Sequence, residues 1–452
     1  MTRPTSGQGA APVLPAAAPA PPREGFATAL LALVACQVGL HACTAGARMA
    51  APLQALHQHH GAWTVGLLLS LFALLPALLA IPAGRLADRF GYHRPVRIAA
   101  LLSLGGALIA AASPSTPALA AMAALCGAGS GFGMIAVQRS AGRMARSPTD
   151  RIRIFSWVAL APAAAGLLGP LLAGLLIDSL GFRAAFAALA LLPAATLLIA
   201  QAVPRELAKP VVAAGAAGTS ASAATAATAG NAGPAPIART AEVAGIAGSA
   251  GLAPASSPSP VVRRPPAWDL LRNPAFRQLL VVNGLVSTSW DVFGFALPII
   301  GHQRGLSASA IGSVLAAYAL ASMAVRSLIP LLAHWLSRRW MIAGALALTA
   351  AVFAAFPLLP GIVPMMAAAA LLGVALGSVQ PAILASVLDA APADRQGEAL
   401  ALRSMSVHLS MATMPLLFGA AGAAVGAPAL FWVMAVALVA GSWRARSAQA
   451  GG

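Results

Sequence analysis

Twelve apolar runs, each long enough to cross a bilayer, constrain this chain more than any other feature. They lie near residues 26–50, 63–83, 96–113, 117–138, 154–177 and 183–203, and then near 277–301, 309–332, 340–357, 361–388, 405–425 and 428–443. About 20 apolar residues in a helix cover a hydrocarbon layer of about 30 Å. Inside that layer each backbone N–H and C=O must be satisfied within its own segment, so runs of this length form helices. We number the runs as spans one to twelve. The fold expected is an all-α membrane protein with twelve transmembrane helices. A soluble chain of 452 residues divides into about three domains. That option is excluded here, because 59% of residues are hydrophobic and 9% charged, against about 25% charged in globular proteins. The mean hydropathy of +0.82 agrees.

Residues 204–268, between spans six and seven, are Ala, Gly, Ser, Thr and Pro with almost no Leu or Phe. Such a composition cannot bury enough bulky apolar surface to offset ordering entropy, so a flexible cytoplasmic linker is expected there. The Pro/Ala-rich residues 1–25 are expected to be a disordered cytoplasmic tail, and 447–452 a C-terminal tail. The run at 26–50 is too long for the apolar region of a cleaved signal, so span one is expected to be retained. What remains is one bundle at 26–203 and a second at 269–446. The segment WDLLRNPAFRQLL at 268–280 alternates Trp268, Leu270, Leu271 and Phe276 with charge, which suits a short helix at the membrane surface.

With 28 basic and 11 acidic residues, the chain carries +17. In a soluble domain that excess raises the question of nucleic acid; here the charges fall between apolar runs and no nucleic-acid partner is expected. Arg85, Arg89, Arg94, Arg143, Arg146, Arg151, Arg153, Arg263, Arg264, Arg338, Arg339 and Arg395 all follow even-numbered spans, whereas the opposite loops hold little beyond Arg183 and Arg304. The positive-inside rule then puts both termini and the linker in the cytoplasm. Cys36, Cys43 and Cys126 lie inside apolar runs, with no metal or disulfide spacing.

The second half repeats the first. At a shift of 246, Gly66 and Gly84 fall on Gly312 and Pro330, Gly127 and Gly131 on Gly373 and Gly377, Pro52 on Pro298, and Leu86 and Ala87 on Leu332 and Ala333. At a shift of 245, GPLLAG at 169–174 meets MPLLFG at 414–419. A near-constant offset across several spans implies two six-helix bundles related by a pseudo-two-fold axis, with the functional cavity between them near the midplane.

The loop after span two reads GRLADRFGYHR, residues 84–94. Gly84 suits close packing at a helix end, Gly91 a tight reversal, and Asp88 can cap exposed N–H groups of a neighbouring helix. With Gly84, Asp88, Arg89, Gly91 and Arg94 in place and His93 at a position otherwise basic, the loop resembles the signature of the major facilitator superfamily. That resemblance implies that the acid latches the two bundles on the cytoplasmic side. AGLLGPLLAG at 165–174, with Gly169, Pro170 and Gly174 but Ala165 and Ala173 where glycines are usual, resembles the superfamily's antiporter-associated motif on span five. A small-residue packing face accounts for the same residues. GFRAAF at 181–186, RNPAFRQLL at 272–280, GVALGSVQP at 373–381 and RQGEALALR at 395–403 extend the likeness to bacterial members of the drug and metabolite efflux type. Where members carry an arginine on span four before Gly127, this chain has Ala123, so no role of that arginine is carried over.

Polar groups within spans are costly and usually face the interior. Asp291 is the only acid near mid-depth of a span; its repeat-equivalent is Ala45, and Arg48 sits one turn further out on span one. Asp291 and Arg48 are therefore the expected charge pair or proton relay, against the alternative of a structural acid satisfied by polar neighbours. Gln37, His41, Asn283, Gln380 and His408 are candidates for the substrate cavity, although such residues also bond helix to helix. Arg326, toward the cytoplasmic end of span eight, can snorkel or hold an anion. His57, His59 and His60 lie in an outer loop with no Cys or acid to complete a metal site.

No nucleophile elbow, phosphate loop or metal-hydrolase spacing occurs, so neither an enzyme nor a cofactor or metal is expected, and energy must come from a gradient. The resemblance implies a secondary transporter: proton-coupled export of a small organic molecule by alternating access, from a monomer in a bacterial inner membrane. Its partners are then the substrate, protons and the lipid bilayer. Uptake by symport or facilitated diffusion fits the same architecture. A sensor of the same fold that binds without transporting would need a structured regulatory domain, and residues 204–268 do not have the composition of one.

Overall fold

The computed structural model describes residues 26–145, 148–203, 267–332, 338–392 and 395–447. The expected N-terminal tail and almost all of the expected linker and C-terminal tail lie outside them. Among the described residues there is no strand, and every apolar run lies in a helix. Span one is Phe26–His57, span two Ala62–Phe90, span three His93–Ala112 and span four Thr116–Met144. Span seven is Pro274–Gln303, eight Ala308–Leu332, nine Arg338–Ala355, ten Ile362–Asp389, eleven Gln396–Val425 and twelve Ala427–Ser447.

Spans five and six form one element, Pro148–Ile199, of 52 residues. Straight, it would run about 78 Å, far beyond a bilayer. It is broken at Gly181, whose φ of 83° and ψ of 173° belong to a region essentially restricted to glycine. The two arms fold back on one another. A Cβ placed on Gly46 would stand 2.6 Å from a methyl of Leu189 and 2.9 Å from the carbonyl oxygen of Gly169, so residues 20 positions apart in sequence meet span one at the same point. Ten helical elements, counting Ile154–Ala202 once, are long and apolar enough to cross a membrane, and Ala427–Ser442 is a shorter apolar helix.

The burial pattern is that of a protein in lipid. Leu78, Leu180, Leu191, Leu198, Val363 and Val436 are each more than 65% exposed, while Gln37, Asn283, Asp291 and Arg403 are at most 5% exposed. An apolar exterior on this scale would aggregate in water; in hydrocarbon it faces its preferred solvent, and polar groups turn inward.

Helices approach closely through glycine, as membrane packing requires. The carbonyl of Phe72 on span two stands where a Cβ of Gly127 would lie, and the carbonyl of Tyr318 on span eight does the same at Gly373. Gly131 packs on Pro76, and Gly377 on Ser322. Each pair in one half returns in the other at the offset of 246 read from the sequence. Gly66 meets the carbonyl of Pro415 and the Cα of Gly419, and Gly312 meets the carbonyl of Pro170, so the repeated motifs of spans two, five, eight and eleven join the two halves.

The segment before span seven forms a short helix only over its first residues. A 3-10 turn, Ala267–Arg272, is followed directly by the span, with Asn273 as N-cap and Pro274 in the first turn. The Asn273 side-chain oxygen accepts from the backbone N–H groups of Ala275 and Phe276 at 3.0 and 3.4 Å, a capping arrangement that starts the helix there. Trp268 is 57% exposed, while Leu270 and Phe276 are buried in the protein core, so the short helix Ala267–Arg272 packs one side on the protein and turns the other outward.

Candidate functional site

The candidate site is the interface between the halves, and it has three levels. At mid-depth lies Asp291 on span seven, 3% exposed. Its Oδ2 accepts a hydrogen bond from the Ser410 hydroxyl of span eleven at 3.1 Å, and its Oδ1 has no partner among the described residues. Ser410 is also 3.2 Å from the Thr288 hydroxyl. Arg48 of span one, its guanidinium 5.6 Å from the centre of the Phe72 ring, interacts electrostatically with Asp291 from the opposite half. The sequence-derived pairing therefore brings the two residues into electrostatic range, but not into a direct ion pair. Ser410 and Thr288 were not foreseen, since no pattern in a span tells which hydroxyl will face an acid on another.

Along span one, Gln37, His41 and Arg48 recur at helical spacing, and along span seven Asn283, Ser287 and Asp291 do the same. At the offset of 246, Gln37 is equivalent to Asn283 and His41 to Ser287. Gln37 Nε2 and His41 Nε2 are 3.4 Å apart. Gln37 Oε1, His41 Nδ1 and both amide atoms of Asn283 are buried without a hydrogen-bond partner in the structure. Gln380 accepts a 2.7 Å hydrogen bond from Nη2 of Arg403, a buried arginine of span eleven that the sequence reading passed over. His408 turns back on its own helix, with Nδ1 2.9 Å from the carbonyl of Ser404.

At the end that the arginine pattern predicts to be cytoplasmic, Gly91 ends span two, with φ 70° and its N–H bonded to the carbonyl of Ala87. Gly84 does not serve close packing: a Cβ there would meet nothing within 4 Å. Asp88 is exposed and accepts from Arg139 Nε of span four at 3.0 Å. Among the described residues its side chain is thus tied within its own half. Arg89 and Arg94 are exposed and lie against the Phe90 ring, at 5.1 and 4.2 Å from its centre.

At the opposite end, the outer one by the same arginine pattern, the halves are joined. Asp178, one residue past the fifth apolar run, accepts from the backbone N–H groups of Ala308 and Ser309, at 2.9 and 2.8 Å. These are the first residues of span eight, so a carboxylate of one half caps and neutralises a helix N-terminus of the other. One turn back, a Cβ on Gly174 would stand 2.5 Å from the carbonyl oxygen of Ala308. Gly169 faces inward instead, 2.7 Å from the Gly46 nitrogen by the same measure. The span-five motif is therefore a double packing face, toward span one through Gly169 and toward span eight through Pro170 and Gly174. In the outer loop His57 rests on Phe182, with ring centres 5.6 Å apart, and His60 lies 2.7 Å from the Thr116 hydroxyl.

Comparison with known proteins gives a consistent picture. The sequence matches the Major Facilitator Superfamily over residues 33–273 and 279–448. Among curated proteins no relative is found. Two solved structures of POT family transporters, one in complex with a thioalcohol-conjugated peptide and one with 5-aminolevulinic acid, superpose with TM-scores of 0.68 at 11% and 12% identity. They cover 93% and 92% of this chain and 98% and 94% of their own. The human organic anion transporter MFSD10 (TETRAN) superposes with a TM-score of 0.58 at 18% identity, over 94% of this chain and all of its own. At such identities the likeness is one of fold.

Proposed function

The chain belongs to the Major Facilitator Superfamily, and from that premise we propose that this membrane transporter is a proton-coupled secondary carrier exporting a small organic molecule by alternating access. Its crossings number twelve in this reading, the two arms of Pro148–Ile199 counted separately, and the halves rock about the midplane.

The observation that carries the reading is Asp291. An acid near the bilayer centre costs at least ~2.5 kcal/mol on insertion scales, and this one is left with an unpartnered oxygen and a cation from the other half nearby. A carboxylate whose surroundings come from both halves changes environment whenever they move. Opening the cavity to water favours the charged form and closing it favours the proton, which couples proton movement to rocking. Export, rather than uptake, is supported by the resemblance of the span-five motif and of residues 373–403 to efflux-type members. Arg-rich segments after the even spans support cytoplasmic termini.

The test is reconstitution in vesicles with a proton gradient and a metabolite and drug panel. Wild type is expected to move protons against substrate, and Asp291→Asn to lose gradient-driven transport while remaining folded and able to bind. A mutant that still moves substrate uphill with unchanged pH dependence removes Asp291 as the coupling group.

A further inference from the structure

Two turns below Asp291, on the cytoplasmic side, lies a polar layer that the coupling scheme does not use. Three hydrogen bonds fix its level. Asn273 at the start of span seven donates to the carbonyl of Ala390 at the end of span ten, 3.3 Å away, so ten residues inward along each antiparallel helix Asn283 and Gln380 stand at one height. Ser410 bonds Asp291. Moving seven residues toward the cytoplasm from Ser410, and eight from Asp291, reaches Arg403 and Asn283, about 11–12 Å down each helix. Arg403 in turn donates to Gln380. Span eight joins this layer through Gly377, where an added Cβ would stand 2.8 Å from a methyl of Val325; Arg326 is the next residue.

Asn283 is fully buried and Arg403 is 5% exposed. Both amide atoms of Asn283, Nε of Arg326 and Nε of Arg403 are buried without a hydrogen-bond partner among the described residues. No carboxylate lies in ion-pair contact with either arginine among the described residues. Buried charges are retained when paired. Here two arginines stand at the level of two amides, with no carboxylate paired to either among the described residues.

We propose that Arg326, Arg403, Gln380 and Asn283 form a subsite for the carboxylate or phosphoryl group of a small organic anion. Each guanidinium presents a planar fork that matches such oxygens, and the amides supply neutral donors. The inference rests on the transporter reading only in making this anion the cargo; the site itself is defined by binding. It lies about three helical turns above the cytoplasmic helix ends, in the half of the molecule where the interface is not closed by Asp178.

Equilibrium binding to the purified, full-length protein in detergent tests the proposal, with citrate, benzoate and glycerol 3-phosphate as anionic probes and benzylamine and benzyl alcohol as cationic and neutral controls. At least one anion is expected to bind and to raise the melting temperature, and the controls are not. Arg403→Gln and, separately, the less buried Arg326→Gln are each expected to weaken that binding at least tenfold. Gln380→Glu places a carboxylate where the 2.7 Å bond to Arg403 now sits, so it is expected to abolish anion binding and raise the melting temperature of the ligand-free protein. The carboxylate and phosphate probes separate the two headgroup chemistries. If none of the three anions binds, if benzylamine binds in their place, or if Gln380→Glu leaves anion binding intact, the proposal is overturned. Binding without proton-coupled transport would remove the coupling scheme and leave the subsite standing.

Discussion

The two ends of the interface between the halves use the same chemistry differently. Each has an acid at the end of a helix of the first half, Asp88 at the end we propose to be cytoplasmic and Asp178 at the end we propose to be outer. Asp178 reaches across to two backbone N–H groups of span eight; Asp88 is held by Arg139 in its own half. The contrast is one of partners: Asp178 is held by backbone N–H groups of the other half, at a helix start that the Ser307 hydroxyl also caps, and Asp88 by a guanidinium of its own half. In our reading the molecule is closed outside and released inside, and the two acids engage in alternation.

The largest effect is expected from packing at the outer seam. A Cβ on Gly312 would stand 2.5 Å from the carbonyl oxygen of Pro170, and overpacking of this kind costs about 1–3 kcal/mol. Gly312→Leu is therefore expected to force the outer ends apart, raising labelling of an outer-half cysteine by an impermeant thiol reagent roughly tenfold or more. Unchanged labelling would show that the seam is not what keeps that end shut.

The cap itself comes next. Asp178→Ala removes the acceptor, and Ala308→Pro removes one donor at a first-turn position that tolerates proline. A cap of this kind contributes about 1 kcal/mol, so Asp178→Ala is expected to increase outer labelling about fivefold, Ala308→Pro less because the Ser309 N–H still bonds the carboxylate, and the double mutant no further than Asp178→Ala alone. Additive effects would mean that the two residues act independently.

The smallest effect on the state shown here belongs to Asp88→Ala. The carboxylate is exposed and, among the described residues, bonded within its half, so the mutant is expected to keep its outer labelling and its ligand affinity and to lose transport rate. A native transport rate would leave Asp88 a surface turn residue.

How much of this was legible in sequence follows from what each feature depends on. Glycines at 66, 127, 312 and 373 could be read, because backbone-to-backbone contact permits nothing larger and so leaves a fixed offset. Asp291 could be read, because an acid deep in an apolar run needs a reason. Its partner Ser410, Arg139 beside Asp88 and the reach of Asp178 to span eight could not, since each depends on how helices cross and on which face is presented. Arg403 was hidden inside a motif read as family likeness. Gly84 shows the converse: the motif asks for glycine, yet among the described residues nothing packs on it. The start of span seven was readable from Asn273 and Pro274 as a cap and first turn, but the amphipathic pattern around Trp268 drew attention away.

The central claim is that the ends alternate, and distances between spin labels test it directly. One pair, at Leu180 and His302, reports the outer end; a second, at Arg89 and Gln396, reports the cytoplasmic end, and all four residues are exposed. As the outer pair lengthens, by Asp178→Ala or by a change of pH, the account predicts that the inner pair shortens in the same population of molecules. Inner distances that stay fixed while the outer pair opens, or both ends opening together, would contradict it.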